Sequence, residues 1–378
     1  MSSLKSIRAL AANDVFEGVI ELGPRDLKRV AQLKGLDYAT AVRTFHRALK
    51  EFGLKVWAGA NNEMLGLVMA FFVCKPEADY RDVAFDAFSS LPNLACLGVD
   101  MTDLTTIYGL MYVPADSAGH TYMTLFEELK KRRVLAEYWT YTVSRQLRYS
   151  LRPECVDWTT GKPSFDWDAL RDREPEDTVF GLSETPQADY IDLLIIKELE
   201  SDATLTFAQI SERLSLKNGV SISDRLVLYH FTNHLMGRRL LSRYKVFFPL
   251  SNVVSTFLIA KVRPGHLDSF ARMVRRAPFL GIELFNEDGE IHISTHNVPL
   301  EHLEGFVKFV HGKLAPLVSS LDFKMSIQGM RLVYTIPFEL FDRETGRWMY
   351  DPARDLERIQ TKAEGLRAKT VLKGMNQK

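Results

Sequence analysis

Two stretches of this chain spell the same pattern 185 residues apart, and a chain written twice must fold as two like halves. Tyr149 to Asp166 reads YSLRPECVDWTTGKPSFD, and Tyr334 to Asp351 reads YTIPFELFDRETGRWMYD. Tyr149/Tyr334, Glu154/Glu339, Asp157/Asp342, Thr160/Thr345, Gly161/Gly346 and Asp166/Asp351 are identical. Ser150/Thr335, Lys162/Arg347 and Phe165/Tyr350 are conservative. Upstream, at an offset of 186, Val42, Phe45 and Leu49 fall on Leu228, Phe231 and Leu235, which are expected to form the buried face of one helix in each half.

A length of 378 residues exceeds what one core carries, and roughly two to four domains are expected. Hydrophobic residues at 46% and charged residues at 25% are those of an ordinary soluble globular protein. No apolar run approaches the ~20 residues that span a bilayer, and the longest, Leu65 to Cys74, is strand-sized, so no membrane partner is expected. The N-terminal MSSLKSIRALAAND lacks the apolar core of a signal peptide and reads as a helix. Cys74, Cys96 and Cys155 are odd in number and widely spaced, without metal or disulfide pattern, which suits a reducing cytoplasm. A net charge of zero excludes a uniformly basic coat for nucleic acid but leaves room for basic patches.

In the second half, helical periodicity covers Ala188 to Glu200, Thr206 to Leu214 and Ser223 to Met236. Thr206 with Gln209 three residues on has the form of a capping box. The partly alternating RRLLSRYKVFFPL follows, and three helices with a β-ribbon make a winged helix-turn-helix. Val254 to Gln328 then reads strand, helix, two strands around an EDG turn, helix, strand, the βαββαβ order of a ferredoxin-like domain. The first half repeats this order, with Pro24 to Lys34 and Tyr38 to Phe52 as helices and LKVWAGANNEML as its wing. The expected fold class is α+β: two copies of a winged helix-turn-helix followed by a ferredoxin-like domain. The expected boundaries are 1–62 and 63–170 for the first copy, 171–187 for an acidic, proline-containing linker, 188–250 and 251–351 for the second copy, and 352–378 for a basic tail with a helical pattern.

Charge concentrates on the helix-turn-helix units. Lys217 to Lys245 holds six basic residues and one acidic residue, and Gly23 to Trp57 holds eight and three. Neutralising phosphates needs such a footprint, because counterion release supplies most non-specific affinity. With the apolar positions turned inward, Arg43, His46 and Arg47 in one copy and Arg225, Tyr229 and Asn233 in the other are left to face bases. Lys50, Arg238, Arg239, Arg243 and Lys245 are left to face phosphates. His230 and His234 stand at the i, i+4 spacing of metal ligands, but no third donor is evident in sequence and packed, hydrogen-bonded histidines are expected. His292, His296, His302 and His311 read as surface residues that could also line a ligand pocket. The repeated D-x-x-T-G reads as an Asp-nucleated turn, not a catalytic motif. No catalytic residue, metal or cofactor motif is evident.

ADYIDLLIIKELESDATLTFAQISERL followed by SDRLVLYHFTNHLMGRRLLSRYKVFFP, in the order helix-turn-helix, wing, βαββαβ, resembles the leucine-responsive/asparagine-synthase-regulator (Lrp/AsnC) family, particularly its archaeal members. The resemblance implies a transcription regulator and not an enzyme, with double-stranded DNA as partner. It implies self-association through the ferredoxin-like domains and a small effector such as an amino acid in place of a cofactor. One chain would be a built-in pseudo-dimer whose two readers have diverged, as Arg43 against Tyr229 and Arg47 against Asn233 suggest. Siroheme decarboxylases are similar to paired members of this family. That alternative requires basic and histidine residues to converge on a polycarboxylate tetrapyrrole. A third reading, an adaptor without DNA contact, requires Arg47, Arg225 and Arg238 to be buried or ion-paired.

Overall fold

A computed structural model describes residues 2–150, 152–173, 183, 186–247, 252–286, 288–327 and 330–375. The first copy opens with helices α1 (Ser2–Leu22), α2 (Leu27–Leu33) and α3 (Tyr38–Glu51) and strand β1 (Lys55–Ala60). Asp37 starts α3 by accepting from the Thr40 amide at 2.9 Å. Next come β2 (Leu67–Pro76), α4 (Arg81–Phe88), β3 (Leu94–Val99), β4 (Ile107–Pro114), α5 (Ser117–Lys131) and β5 (Leu135–Arg148), then a short hairpin of β6 (Val156–Asp157) and β7 (Lys162–Pro163). The second copy runs α6 (Tyr190–Ser201), α7 (Phe207–Asn218), α8 (Asp224–Tyr229) and β8 (Leu241–Phe247). It continues β9 (Val253–Val262), α9 (Leu267–Arg276), β10 (Leu280–Asn286), β11 (Ile291–Pro299), α10 (Leu303–Phe309) and β12 (Val318–Ile327). After these come β13 (Arg331–Val333), the hairpin β14 (Phe341–Asp342) and β15 (Arg347–Trp348), and α11 (Pro352–Met375).

Both βαββαβ segments have the ferredoxin-like strand order: β12-β9-β11-β10 in the second and β5-β2-β4-β3 in the first. The architecture is therefore the α+β one expected. The compact units, however, interleave along the chain. One comprises Met1–Asn61, Gln146–Val179 and Ile191–Asp322, which brings together both helix-turn-helix regions and the second βαββαβ domain. The other comprises Asn62–Arg145, Phe180–Tyr190 and Phe323–Lys378. In this second unit β13 pairs antiparallel with β3, and α11 lays Leu356, Ile359 and Ala363 into the core that β2, β4, α4 and α5 surround. The basic tail of the sequence is thus a packed helix, and Tyr122 donates to its Asp355 at 2.7 Å. Of the linker, residues 174–182 and 184–185 lie outside the described residues.

In the first unit the wings differ from expectation. Each copy contributes one strand, and β1 and β8 pair with each other, antiparallel, with Lys55 opposite Phe247 and Trp57 opposite Lys245. A lone strand would leave a row of donors and acceptors unpaired, and the duplicated partner satisfies them. The helix faces are also rotated from those expected. Ala41, Phe45 and Ala48 are buried in α3, and Val42 and Leu49 stand at the margin. The two alanines let α1 approach, and Phe16 meets Phe45 with ring centres 5.9 Å apart. In the second copy Val227, His230 and Leu235 are buried, whereas Leu228 is 46% exposed. Leu228 stands outside the buried stripe as its counterpart Val42 does, the stripe running through Ala41 in one copy and Val227 in the other; beyond it the second helix widens into a π-turn over His230–Met236.

The sequence signals that rest on local chemistry hold. Thr206 and Gln209 form the reciprocal capping box, and Gly219 at φ 65° ends the helix they start. Asp157 accepts from the Thr159 amide and the Thr160 hydroxyl, and Asp342 accepts from the Glu344 and Thr345 amides. Gly161 and Gly346 carry the positive φ that each turn needs.

Candidate functional site

The first candidate surface is the outer face of the two third helices, both in the first unit. Arg43, His46, Arg47 and Lys50 on α3 are exposed, as are Arg225, Tyr229, Asn233, Arg238, Arg239 and Arg243 in the second copy. Lys245 is half-buried on β8, opposite Trp57. The side chains are differently held. Arg47 pairs with Glu51 at 3.1 Å and donates to the Trp158 carbonyl at 3.2 Å, which draws it toward the β6–β7 hairpin. Arg43 folds back onto the Ala39 carbonyl at 3.2 Å, and Asn233 donates to the Tyr229 carbonyl at 3.1 Å. Arg239 takes a left-handed φ of 58° at the turn into β8, where its carbonyl accepts from Asn61. Of the three arginines that decide between DNA contact and an adaptor, all are exposed, and Arg47 is also ion-paired with Glu51.

A half-buried arginine joins the two helix-turn-helix regions. Arg25, just before α2, donates to the Ala203 carbonyl at 2.8 Å and to the Leu205 carbonyl. Its guanidinium lies 5.2 Å from the Phe207 ring centre and 5.1 Å from that of Phe231. Burial lowers its pKa, opposed by Tyr244 and Asp202.

The second candidate is a buried ionic cluster in the second ferredoxin-like domain. Strand alternation turns Glu283 of β10 and His292, Ser294 and His296 of β11 to one face, where Phe270 of α9 meets His292 and Phe306 of α10 meets His296. Glu283 accepts from Arg275 at 2.7 Å and from the Tyr149 hydroxyl, and lies 2.9 Å from His292 Nε2. Arg173 stands over the Tyr149 ring at 5.1 Å, and Arg152 holds the Arg276 carbonyl at 3.0 Å. Burial alone would raise the Glu283 carboxyl, but the His292 hydrogen bond, then Arg275 and Tyr149, hold it below the usual range. Burial drives His296 down to about 3, so its ring is neutral, and brings Arg173 down to about 10. The Nδ1 atoms of His292 and His296 are buried without a hydrogen-bond partner among the described residues. The surface reading of these two histidines is thereby corrected, while His311 is exposed and His302 half-buried. On a strand, the H-x-S-x-H spacing puts all three side chains on one face, a signal the surface reading did not use. Which face it is follows only from where α9 and α10 pack.

No family model and no curated protein sequence matches this chain. Among solved structures, it is similar to the siroheme decarboxylase NirDL at 12% identity and a TM-score of 0.49, over 90% of this chain and 93% of that one. NirDL in co-complex with an iron-uroporphyrin III analogue matches over 93% and 99%, at the same identity of 12% and TM-score of 0.49. AsnC of E. coli matches over 36% of this chain and 91% of its own, at 13% identity and a TM-score of 0.28. Identities this low describe a fold, and none of these likenesses bears on what the chain does.

The histidine pair of the second helix-turn-helix is the third grouping. His230 and His234 are packed and hydrogen-bonded as expected, but the expectation that no further donor lies nearby is corrected. Asp192 of α6, fully buried, meets both rings. Thirty-eight positions separate Asp192 from His230, and no sequence spacing announces such a contact.

Proposed function

We propose that this chain binds double-stranded DNA as a built-in pseudo-dimer and regulates transcription, with the ferredoxin-like domains serving pairing and effector sensing. The observation that carries the reading is the exposed cationic face of the second helix-turn-helix. Arg225, Arg238, Arg239 and Arg243 stand on it in a chain of zero net charge. Cations gathered on one face neutralise phosphates. Tyr229 and Asn233 beside them carry groups suited to base edges, Asn being able to bond adenine. The β1–β8 pairing supports the pseudo-dimer, since it couples two different readers in one body. Such a pair matches an imperfect palindrome better than a true one. The test is binding of the purified chain to fragmented DNA from its own genome at two salt concentrations, with bound fragments sequenced. Enrichment of one asymmetric motif at the higher salt supports the reading, and absence of binding at low salt sinks it.

The buried cluster favours a second reading, an enzyme of the siroheme-decarboxylase kind. Arg152, Arg173, Arg275, His292 and His296 gather in one unit, the convergence of cations and imidazoles that a polycarboxylate tetrapyrrole requires. Titration with an iron porphyrin bearing carboxylate side chains, followed by its visible absorption, separates the readings. A saturable shift lost in His292→Ala supports the enzyme.

A further inference from the structure

We infer that Asp192, His230 and His234 form a binding site for one first-row divalent metal ion, which fastens the third helix of the second helix-turn-helix to its first. His230 Nδ1 lies 2.8 Å from Asp192 Oδ1, and His234 Nδ1 lies 3.1 Å from each carboxylate oxygen. Ligand atoms about 2.0–2.1 Å from a shared zinc ion stand roughly 2.9–3.4 Å apart at angles between square and tetrahedral. The His234 separations fall within that range, and the His230 separation of 2.8 Å lies at its lower edge. One donor atom from each of the three residues lies within 4.8 Å of the others.

The backbone supplies an independent argument. The helix leaves α geometry at His230 and is π-helical to Met236. An α-helix turns i, i+4 residues about 40° past alignment, whereas a wider turn brings them back toward one line. The π-turn thus brings both imidazoles over Asp192, with ring centres 4.6 Å apart and planes crossing at 71°. π-Turns are uncommon and recur at functional sites. The donor chemistry decides the ion. Two imidazole nitrogens and one carboxylate oxygen suit zinc or a neighbouring first-row divalent ion better than calcium or magnesium, which take oxygen.

Position decides the consequence. Asp192 is completely buried and His234 is partly open, so the ion enters from the His234 side. The ligand positions alternate along the helix with Tyr229 and Asn233, two residues of the exposed face. Tyr229 meets both ligand rings edge-on, centres 5.8 and 5.5 Å away, so metal binding orders that helix and Tyr229 with it.

The test uses the full chain, stripped with a chelator and titrated with Co2+ alone. The expected result is a visible d–d band that saturates at one equivalent per chain, is bleached by Zn2+, and accompanies a rise in Tm. His234→Ala and Asp192→Asn are expected to lose the band while still unfolding cooperatively. Absence of the band in the wild-type chain, or its persistence in both variants, overturns the site and leaves a metal-free Asp–His–His hydrogen-bond network. Should either variant fail to fold, X-ray absorption of the zinc-loaded wild-type chain decides. Two coordinated imidazoles support the site, and fewer overturn it. None of these readouts involves DNA, so the site stands or falls separately from DNA binding.

Discussion

The indole of Trp57 stacks on the ring of Phe247 across the β1–β8 ribbon, centres 5.1 Å apart and planes 17° from parallel. The pair is diagonal in the register, since Phe247 stands opposite Lys55 and Trp57 opposite Lys245. It therefore closes one end of the strand pairing that joins β1 to the second copy. A cross-strand aromatic pair contributes about 0.5–1.5 kcal/mol beyond the area it buries. Trp57→Ala is expected to destabilise the chain by about 1–2 kcal/mol, and Trp57→Phe by much less. Denaturant midpoints for the two variants check this, and equal losses would rule out stacking as the cause.

Arg25 joins the copies by a different means. Its planar fork reaches two carbonyls of the second copy while its flat faces meet Phe207 and Phe231. Lysine keeps the charge but neither the fork nor the flat face. Arg25→Lys is therefore expected to cost about 1–3 kcal/mol, because a buried carbonyl loses its donor. Thermal unfolding of the full chain measures it, and a Tm unchanged from wild type would contradict the bridge.

Acid should weaken the fold through His296. Burial lowers its pKa from 6.5 to about 3, with the charge of His292 adding to the effect and Glu283 opposing it. Between those values the unfolded chain binds a proton that the folded chain refuses, so stability falls as pH falls from 6.5 toward 3. Glu283, held below its usual 4.5, adds a loss in the same direction at the acid end. His296→Gln is expected to flatten the slope between pH 6.5 and 4.5, where Glu283 contributes little. Unfolding free energies of wild type and variant across that window test it, and parallel slopes would contradict the assignment.

What could be read from the residues was what local chemistry fixes. The Thr206/Gln209 box, the Asp157 and Asp342 turns and the order of both βαββαβ segments depend on neighbours a few positions away. The β1–β8 partnership spans nearly two hundred positions, and a strand's alternation says nothing of which edge it will find. Leu228 was misplaced because Val227 and Leu228 are both apolar, and periodicity alone does not say which of two neighbouring apolar positions faces the core, as with Ala41 and Val42 in the first copy. His292 and His296 were misplaced because polar residues on a core face look, in one sequence, like polar residues on a wet one. Asp192 lies in an apolar helix buried nearly all round, and its partners 38 and 42 positions away are fixed by packing and not by neighbours in sequence.

The cationic face makes a prediction that separates electrostatics from sequence reading. Arg238 and Arg239 follow the third helix and precede β8, exposed on the side away from Leu235 and Leu240. Each phosphate contact contributes about −0.9 to the slope of log affinity against log salt. Changing both arginines to Ala is expected to reduce that slope by about two and to weaken binding to every duplex alike. Asn233→Ala, by contrast, should leave the slope unchanged and relax preference at one base pair, by about 1–3 kcal/mol. Fluorescence anisotropy with specific and random duplexes across a salt series reads both quantities. A slope unchanged in the double arginine variant would mean that these cations do not meet phosphates, and a slope altered in Asn233→Ala would mean that its helix contacts the backbone and not the bases.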